Sequence, residues 1–290
     1  MIEPSTSSSF ESENLDTQVV AAFGDEWSHF RNDLLGDDEL QQMFADYTTI
    51  FPWKDLPDDS VGFDAGCGSG RWAKIFAQRV GHLHCVDASE AALDVARQLL
   101  SDQPNVEFHL EDLSDMSVPE NSCDFGYSLG VLHHIPDTER ATRSCVIRLK
   151  LGAPFLVYLY YDLEDAGALH RGLLKIVTGL RWLIARMPYR LKLGITGLIA
   201  VLVYLPLARF ALLLERAGRD PIWVPLFQYR NRSLYVMRND ALDRFGTRLE
   251  KRFSRQQMER LLEDAGLERV TFSQGPPWWV AVARRKKDAA

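Results

Sequence analysis

A chain of 290 residues with 46% hydrophobic content has room for one large domain and a substantial core. A net charge of −7, with 25% charged residues, excludes a general electrostatic attraction to nucleic acid. Cys67, Cys85, Cys123 and Cys145 form no CxxC pair and no metal-ligand spacing, so reduced thiols in a cytoplasmic protein are expected, and no metal.

The opening "MIEPSTSSSFESENLD" has neither a basic n-region nor an apolar h-region, which argues against a signal peptide. Residues 1–15 are expected to be disordered. Residues 16–60 read as a helical cap, in which Phe23, Trp27 and Phe30 share one helix face before the loop "FPWKDLPDDS". From Val61 the rhythm changes to short apolar runs alternating with amphipathic helices, the pattern of βαβ units and a parallel sheet. Strands are predicted at "VGFDAG", "HLHCVDAS", "NVEFHLED", "CDFGYSLGVL" and "PFLVYLYYD". The alternation stops after Asp165 and resumes at "SRQQMERLLEDAGLERVTFSQ", where Ser254 and Gln257 make a capping box and Gly266 a helix stop before a sixth strand. "PPWWVAVARR" supplies the seventh. Residues 61–165 and 251–285 thus form a doubly wound, mostly parallel α/β sheet, interrupted by a helical insertion, 166–250, between strands five and six.

"DAGCGSG" sets Gly66, Gly68 and Gly70 at alternate positions directly after the first strand, with Asp64 before them. Glycines there let the backbone turn tightly and approach a ligand where a Cβ would collide. The dinucleotide fingerprint needs its third glycine where Arg71 stands, and a P-loop needs a Gly-Lys-Ser/Thr ending; both are absent. This region, from Val61 to about Asp162 and again from about Asp243 to Arg284, resembles the class I S-adenosylmethionine-dependent methyltransferases, in particular the branch acting on quinones, lipids and sugars.

The resemblance implies a Rossmann-like methyltransferase fold and S-adenosyl-L-methionine as cofactor. It places Asp87, with Ala88 beside it, at the ribose hydroxyls, Asp112 and Leu113 of "EDLSDM" at the adenine, and Ser128 at the methionine moiety. "SLGVLHHIPD" resembles the family's loop after the fourth strand. Two departures stand out: "LKLGA" lacks the proline and one glycine of the family's turn, and Cys123 takes the place of an aromatic.

Transfer to a hydroxyl requires a base, and His133 is the expected one, with His134 its neighbour on the same strand-end loop. Tyr158, Tyr160, Tyr161 and Asp162 are further pocket candidates, and Arg248 is placed to meet an anionic substrate group. The structural alternatives are a histidine that packs the following helix and an arginine that is simply solvated.

The insertion holds "LGITGLIAVLVYLPLARFALLL", Leu193 to Leu214, and nine basic residues between Ala166 and Asp220 against Glu215 and Asp220. Between Lys192 and Arg209 lie 16 uncharged residues, short of the ~20 that a transmembrane helix needs, and Pro206 is expected to break the run. Two readings remain: a helical hairpin docked on an anionic membrane surface at the inner face of the membrane, or a lid or dimer contact. The expected function is a cytoplasmic, peripherally membrane-associated methyltransferase acting on a small or lipid-linked acceptor, with no nucleic acid among its expected partners. The alternatives are a non-catalytic cofactor-binding scaffold and, more remotely, a nicotinamide oxidoreductase.

Overall fold

Seven strands form one sheet of order β3-β2-β1-β4-β5-β7-β6 in the computed structural model, which describes residues 14–32, 34–162 and 177–287. The expected disordered stretch lies almost wholly outside the described residues, as do Arg171 and Lys175 of the basic set. Strands β1 (Val61–Ala65), β2 (His82–Asp87), β3 (Val106–Leu110), β4 (Phe125–Leu129) and β5 (Pro154–Tyr158) run parallel, and each falls on a predicted strand. The order reverses at β1, so a crevice opens between the ends of β1 and β4, where doubly wound sheets bind their ligands. The last two strands, β6 (Leu267–Phe272) and β7 (Val280–Arg285), close the sheet, with β7 antiparallel to both neighbours.

Strands β4 and β5 are buried at every residue, as a sheet covered on both faces requires. Alternation sends Phe125, Tyr127 and Leu156 into one core, with Phe76 and Leu83, and Phe155 and Val157 into the other, with Phe63 and Val86. Adjacent strands interlock: Gly62 pairs with Phe125 and Phe63 with Gly126. A Cβ on Gly62 would lie 2.0 Å from the Phe125 ring, and one on Gly126 2.2 Å from the Phe63 ring. Each ring thus occupies the space its partner's missing side chain leaves, which fixes β1 against β4 and the loops that follow them.

The cap divides into α1 (Thr17–His29), whose first turn is capped by the Asp16 carboxylate, and α2 (Asp37–Thr48). Helices α3 (Ala73–Phe76), α4 (Glu90–Leu99) and α5 (Thr138–Arg148) connect the parallel strands. In the insertion, residues 177–184 are helical, followed by α6 (Tyr189–Arg216) and α7 (Leu234–Gly246). Helix α8 (Arg255–Asp264) leads back into β6 and carries the Ser254–Gln257 capping box.

Pro206 does not break α6. Ala200–Tyr204, separated from the proline only by Leu205, form a π segment in which the Leu205 N–H bonds the Ala200 carbonyl, and this widened turn accommodates the proline ring. Helix α6 is long and apolar enough to cross a membrane by length and composition. It nevertheless packs along the protein. Lys192 donates to the Gly246 carbonyl at 3.1 Å, and Arg209 to the carbonyls of Arg230 and Arg232 at 2.7 and 3.2 Å, so α6 and α7 run as an antiparallel hairpin.

Candidate functional site

The glycine loop is where the first strand's chemistry is exposed. Gly66 and Gly68 hold φ of +83° and +54°, and added Cβ atoms would lie 2.4 Å from Val131 and 2.8 Å from the Trp27 indole nitrogen. The bare loop is thereby pressed between the loop after β4 and the cap helix α1. Asp87, at the end of β2, accepts from the Gly68 N–H at 2.9 Å and from the Ser89 N–H at 2.8 Å. Burial pushes its carboxyl above the usual range, and those backbone bonds pull it back. Each oxygen keeps a further lone pair for a ligand hydroxyl. Asp112 accepts from the Ser114 N–H at 2.9 Å, which sets the turn after β3.

A cavity of about 730 Å³ opens over this loop, and Gly66, Gly68, Asp87, Ala88, Asp112 and Leu113 line it. Asp64, Gly70 and Ser128 do not. Asp64 is buried beneath the loop, where desolvation pushes its carboxyl up to about 8. The Ser128 hydroxyl donates to the Ala65 carbonyl at 2.9 Å and so fastens β4 to β1. Gly70 makes room for α4: a Cβ there would stand 3.0 Å from Leu100 and 3.1 Å from Ala96. These three act behind the wall rather than on it. The wall itself fits an adenine nucleoside, with a surface free of side chains at Gly66 and Gly68, an acid at the end of β2 and another just after β3.

His133 is corrected in the same way. Its ring is fully buried, stacks 4.1 Å from that of Tyr160, has no hydrogen-bond partner on either nitrogen and is absent from the cavity wall. Burial first, and then His134, lower its pKa well below the usual imidazole value, which keeps it neutral. His134 does line the cavity. Its Nδ1 lies 2.6 Å from the Leu249 carbonyl, an acceptor only, so Nδ1 carries the proton and Nε2 the lone pair. Nε2 is 3.7 Å from Asp243 Oδ1, and the other oxygen of Asp243 accepts from Tyr160.

The rest of the cavity wall is built by the cap, the end of β5 and the insertion. Tyr47, Tyr158, Tyr160 and Tyr229 form an aromatic wall, and burial pushes the Tyr47 hydroxyl up to about 12, so it remains protonated. Arg71 reaches between Trp27 and Trp72, 5.2 and 4.7 Å from their rings. Glu26 is buried, accepts from Asn239 at 2.7 Å and is held well above the usual carboxylate range by desolvation and then by Asp243. Tyr161 lines the cavity, but Asp162 does not. Arg248 sits on the surface and donates to Gln18. Sequence reasoning missed Glu26, Asn239, Asp243 and Arg244, because none belongs to a motif and each reaches the cavity only through the packing of the cap and hairpin.

A methyltransferase domain family matches residues 63–157. A tRNA (carboxymethyluridine(34)-5-O)-methyltransferase of Schizosaccharomyces pombe is 30% identical over 112 residues, covering 36% of this chain and 44% of that protein. A ubiquinone biosynthesis O-methyltransferase of Coxiella burnetii is 27% identical over 107 residues, 33% of this chain and 46% of that protein. The chain thus spans less than half the length of these two relatives. Human N-acetylserotonin methyltransferase, solved with its cofactor, shares the fold with a TM-score of 0.52 at 17% identity, over 93% of this chain and 58% of that one. Residues 63–157 thus match a methyltransferase domain, and the seven-stranded order and the glycine loop around it are similar to those of the class I methyltransferases, whose cofactor is S-adenosyl-L-methionine.

Proposed function

We propose that the chain methylates a hydroxyl of a hydrophobic, lipid-linked acceptor at an anionic membrane surface. The observation that carries this reading is the single cavity in which the glycine loop and Asp87 share walls with a ring of tyrosines and the His134–Asp243 pair. In this reading Asp87 holds the ribose hydroxyls, Asp112 and Leu113 flank the adenine, and Gly66 and Gly68 admit the chain that carries the sulfonium. The cofactor supplies an activated methyl group, so the protein has to align the acceptor, keep water out and take up a proton. His134 Nε2, rather than His133, is the base. A proton arriving there forms an imidazolium beside Asp243, and Tyr160 holds that carboxylate in place.

Support for the membrane comes from α6. Its buried stripe is Lys192, Thr196, Ala200, Tyr204, Ala208 and Ala211, whereas Leu198, Leu202 and Leu213 are 57%, 63% and 63% exposed. Trp182, Phe210 and Trp223 of the same insertion are exposed as well. Not every basic residue of the insertion faces outward. Arg181 is paired with Glu250 at 3.1 Å and Lys192 is buried, which leaves Arg186, Arg190, Arg209, Arg216 and Arg219 exposed among the described residues. Each contributes on the order of 1 kcal/mol at an anionic surface. With one face packed on the protein, α6 lies in the interface plane instead of crossing the bilayer.

Flotation with anionic and neutral vesicles at low and high salt tests the docking. Salt-sensitive flotation confined to anionic vesicles is expected, and absence of flotation would turn the exposed face into a lid or dimer contact. Turnover on hydroxyl acceptors tests the activity. Cofactor binding without turnover across such a panel would favour a cofactor-binding scaffold.

A further inference from the structure

The β2–β3 edge of the sheet carries a group of side chains that the cavity does not use. The strands run parallel with His84 opposite Glu107. Alternate residues of a strand share a face, so His82 and His84 of β2 stand beside Glu107 and His109 of β3. Leu83 and Cys85, which alternate with them along β2, are buried in the core. None of the four lines the cavity.

We infer that this face binds one divalent transition metal ion of the zinc type, through His82 Nε2, His84 Nδ1 and the Glu107 carboxylate, with His109 Nε2 as the fourth donor. The three primary donors lie within 4.8 Å of one another. Bonds of about 2.0–2.1 Å in a tetrahedral arrangement put neighbouring donors about 3.3–3.4 Å apart. His82 Nε2 and His84 Nδ1 stand 3.3 and 3.4 Å from Glu107 Oε2, so those two edges are already formed. His109 Nε2 is 3.0 Å from His84 Nδ1 and 3.7 Å from Glu107 Oε1, next to the fourth position. A set of imidazoles and one carboxylate suits zinc better than the hard cations that take oxygen donors only.

The surroundings complete the arrangement. With Nε2 committed to the metal, His109 turns Nδ1 towards the Ser117 hydroxyl at 3.4 Å and Glu111 Oε1 at 4.0 Å, the type of outer partner that fixes a ligating imidazole. Glu107 is 54% exposed on its side chain and His82 35%, so an ion reaches the site from solvent. β3 is the sheet's outermost strand and runs on into Asp112 and Leu113. An ion shared between β2 and β3 therefore clips the edge strand in place and steadies the adenine side of the cavity.

The test is calorimetric titration of the full chain, free of any histidine tag and stripped with chelator, with zinc chloride. One equivalent is expected to bind. In the His82→Ala/His84→Ala variant the affinity should fall by at least about 100-fold, beyond the 10–100-fold typical of outer-shell partners. Cobalt(II), the second probe, should give the intense visible absorption of a tetrahedral site in the parent chain and lose it in Glu107→Gln, an exposed substitution that leaves the sheet intact. Zinc should also raise Tm in the parent and not in Glu107→Gln. No stoichiometric zinc binding overturns the inference, with the carboxylate then serving only to hydrogen-bond the two histidines. Equal zinc affinity in the parent and the double variant overturns it as well, since the ion would then sit elsewhere.

Discussion

β4 and α6 are both rich in large apolar residues, yet they spend them in opposite directions. All five residues of β4 are buried, with Phe125 seated over Gly62 of β1 and Phe63 of β1 over Gly126. In α6 the small and polar residues, Thr196, Ala200 and Ala208, face the protein, and Leu198, Leu202 and Leu213 face out. Water alone would select the reverse arrangement. Hydrophobicity in the sheet therefore reports on the fold. In the hairpin it is left exposed by the fold, and the substitutions that follow separate the two.

The largest effect is expected inside the cavity. His134→Gln should lower turnover by about 10²–10⁴-fold. Cofactor affinity by calorimetry should stay within about twofold, because His134 follows β4 and Asp87 ends β2, with β1 between the two strands; an unchanged rate would remove it from the chemistry. Asp87→Ala comes next. It removes a charged acceptor for the Gly68 and Ser89 N–H groups as well as for the ligand, at about 1.5–3 kcal/mol per charged hydrogen bond, so cofactor affinity should fall roughly 100-fold or more. Vesicle flotation should be unaffected. If both readouts moved together, the two regions would not be independent.

Asp64 gives a smaller effect that depends on pH. Its folded pKa of about 8 lies above the unfolded value of about 3.9, so between them the folded chain holds a proton that the unfolded chain has released. Its contribution to stability is fully present below about pH 4 and is lost as pH rises through about 8. Asp64→Asn cannot ionise, and the variant should gain stability relative to the parent, by up to a few kcal/mol, as pH rises across that window. Denaturant unfolding at several pH values checks this, and a pH-independent difference would contradict it. Smallest of all on the fold is the pair Leu198→Glu and Leu202→Glu. Stability should shift by no more than about 0.5 kcal/mol per substitution, while vesicle binding weakens by tenfold or more. A large loss of stability would mean that these side chains pack where they stand exposed.

Much of this organisation was readable in the chain. The seven strands, the capping box at Ser254 and the glycine loop are local signals, set by alternation and by residue chemistry a few positions apart. What was not readable depended on rotation about an axis or on distant partners. Adjacent histidines cannot be told apart by period, and the fold turned His134 to the cavity and His133 to the core. Pro206 looked like a break because the π turn that absorbs it has no sequence signature of its own. Lys192 and Arg181 read as surface charge until their carbonyl and carboxylate partners came from residues more than 50 positions away. The H-x-H of β2 and the E-x-H of β3 went unread, because only the register brings them side by side.

The reciprocal packing of Gly62 under Phe125 and of Gly126 under Phe63 bears on how such a sheet can change over time. Enlarging either glycine first drives a Cβ into a ring held by two strands, and no rotamer relieves it. Shrinking a phenylalanine first leaves a cavity costing about 3–5 kcal/mol, tolerable only in a chain with stability to spare. Each glycine and its ring are thus inherited as a unit, and the shortest mutational route between alternative packings passes through the hollow intermediate, never the crowded one.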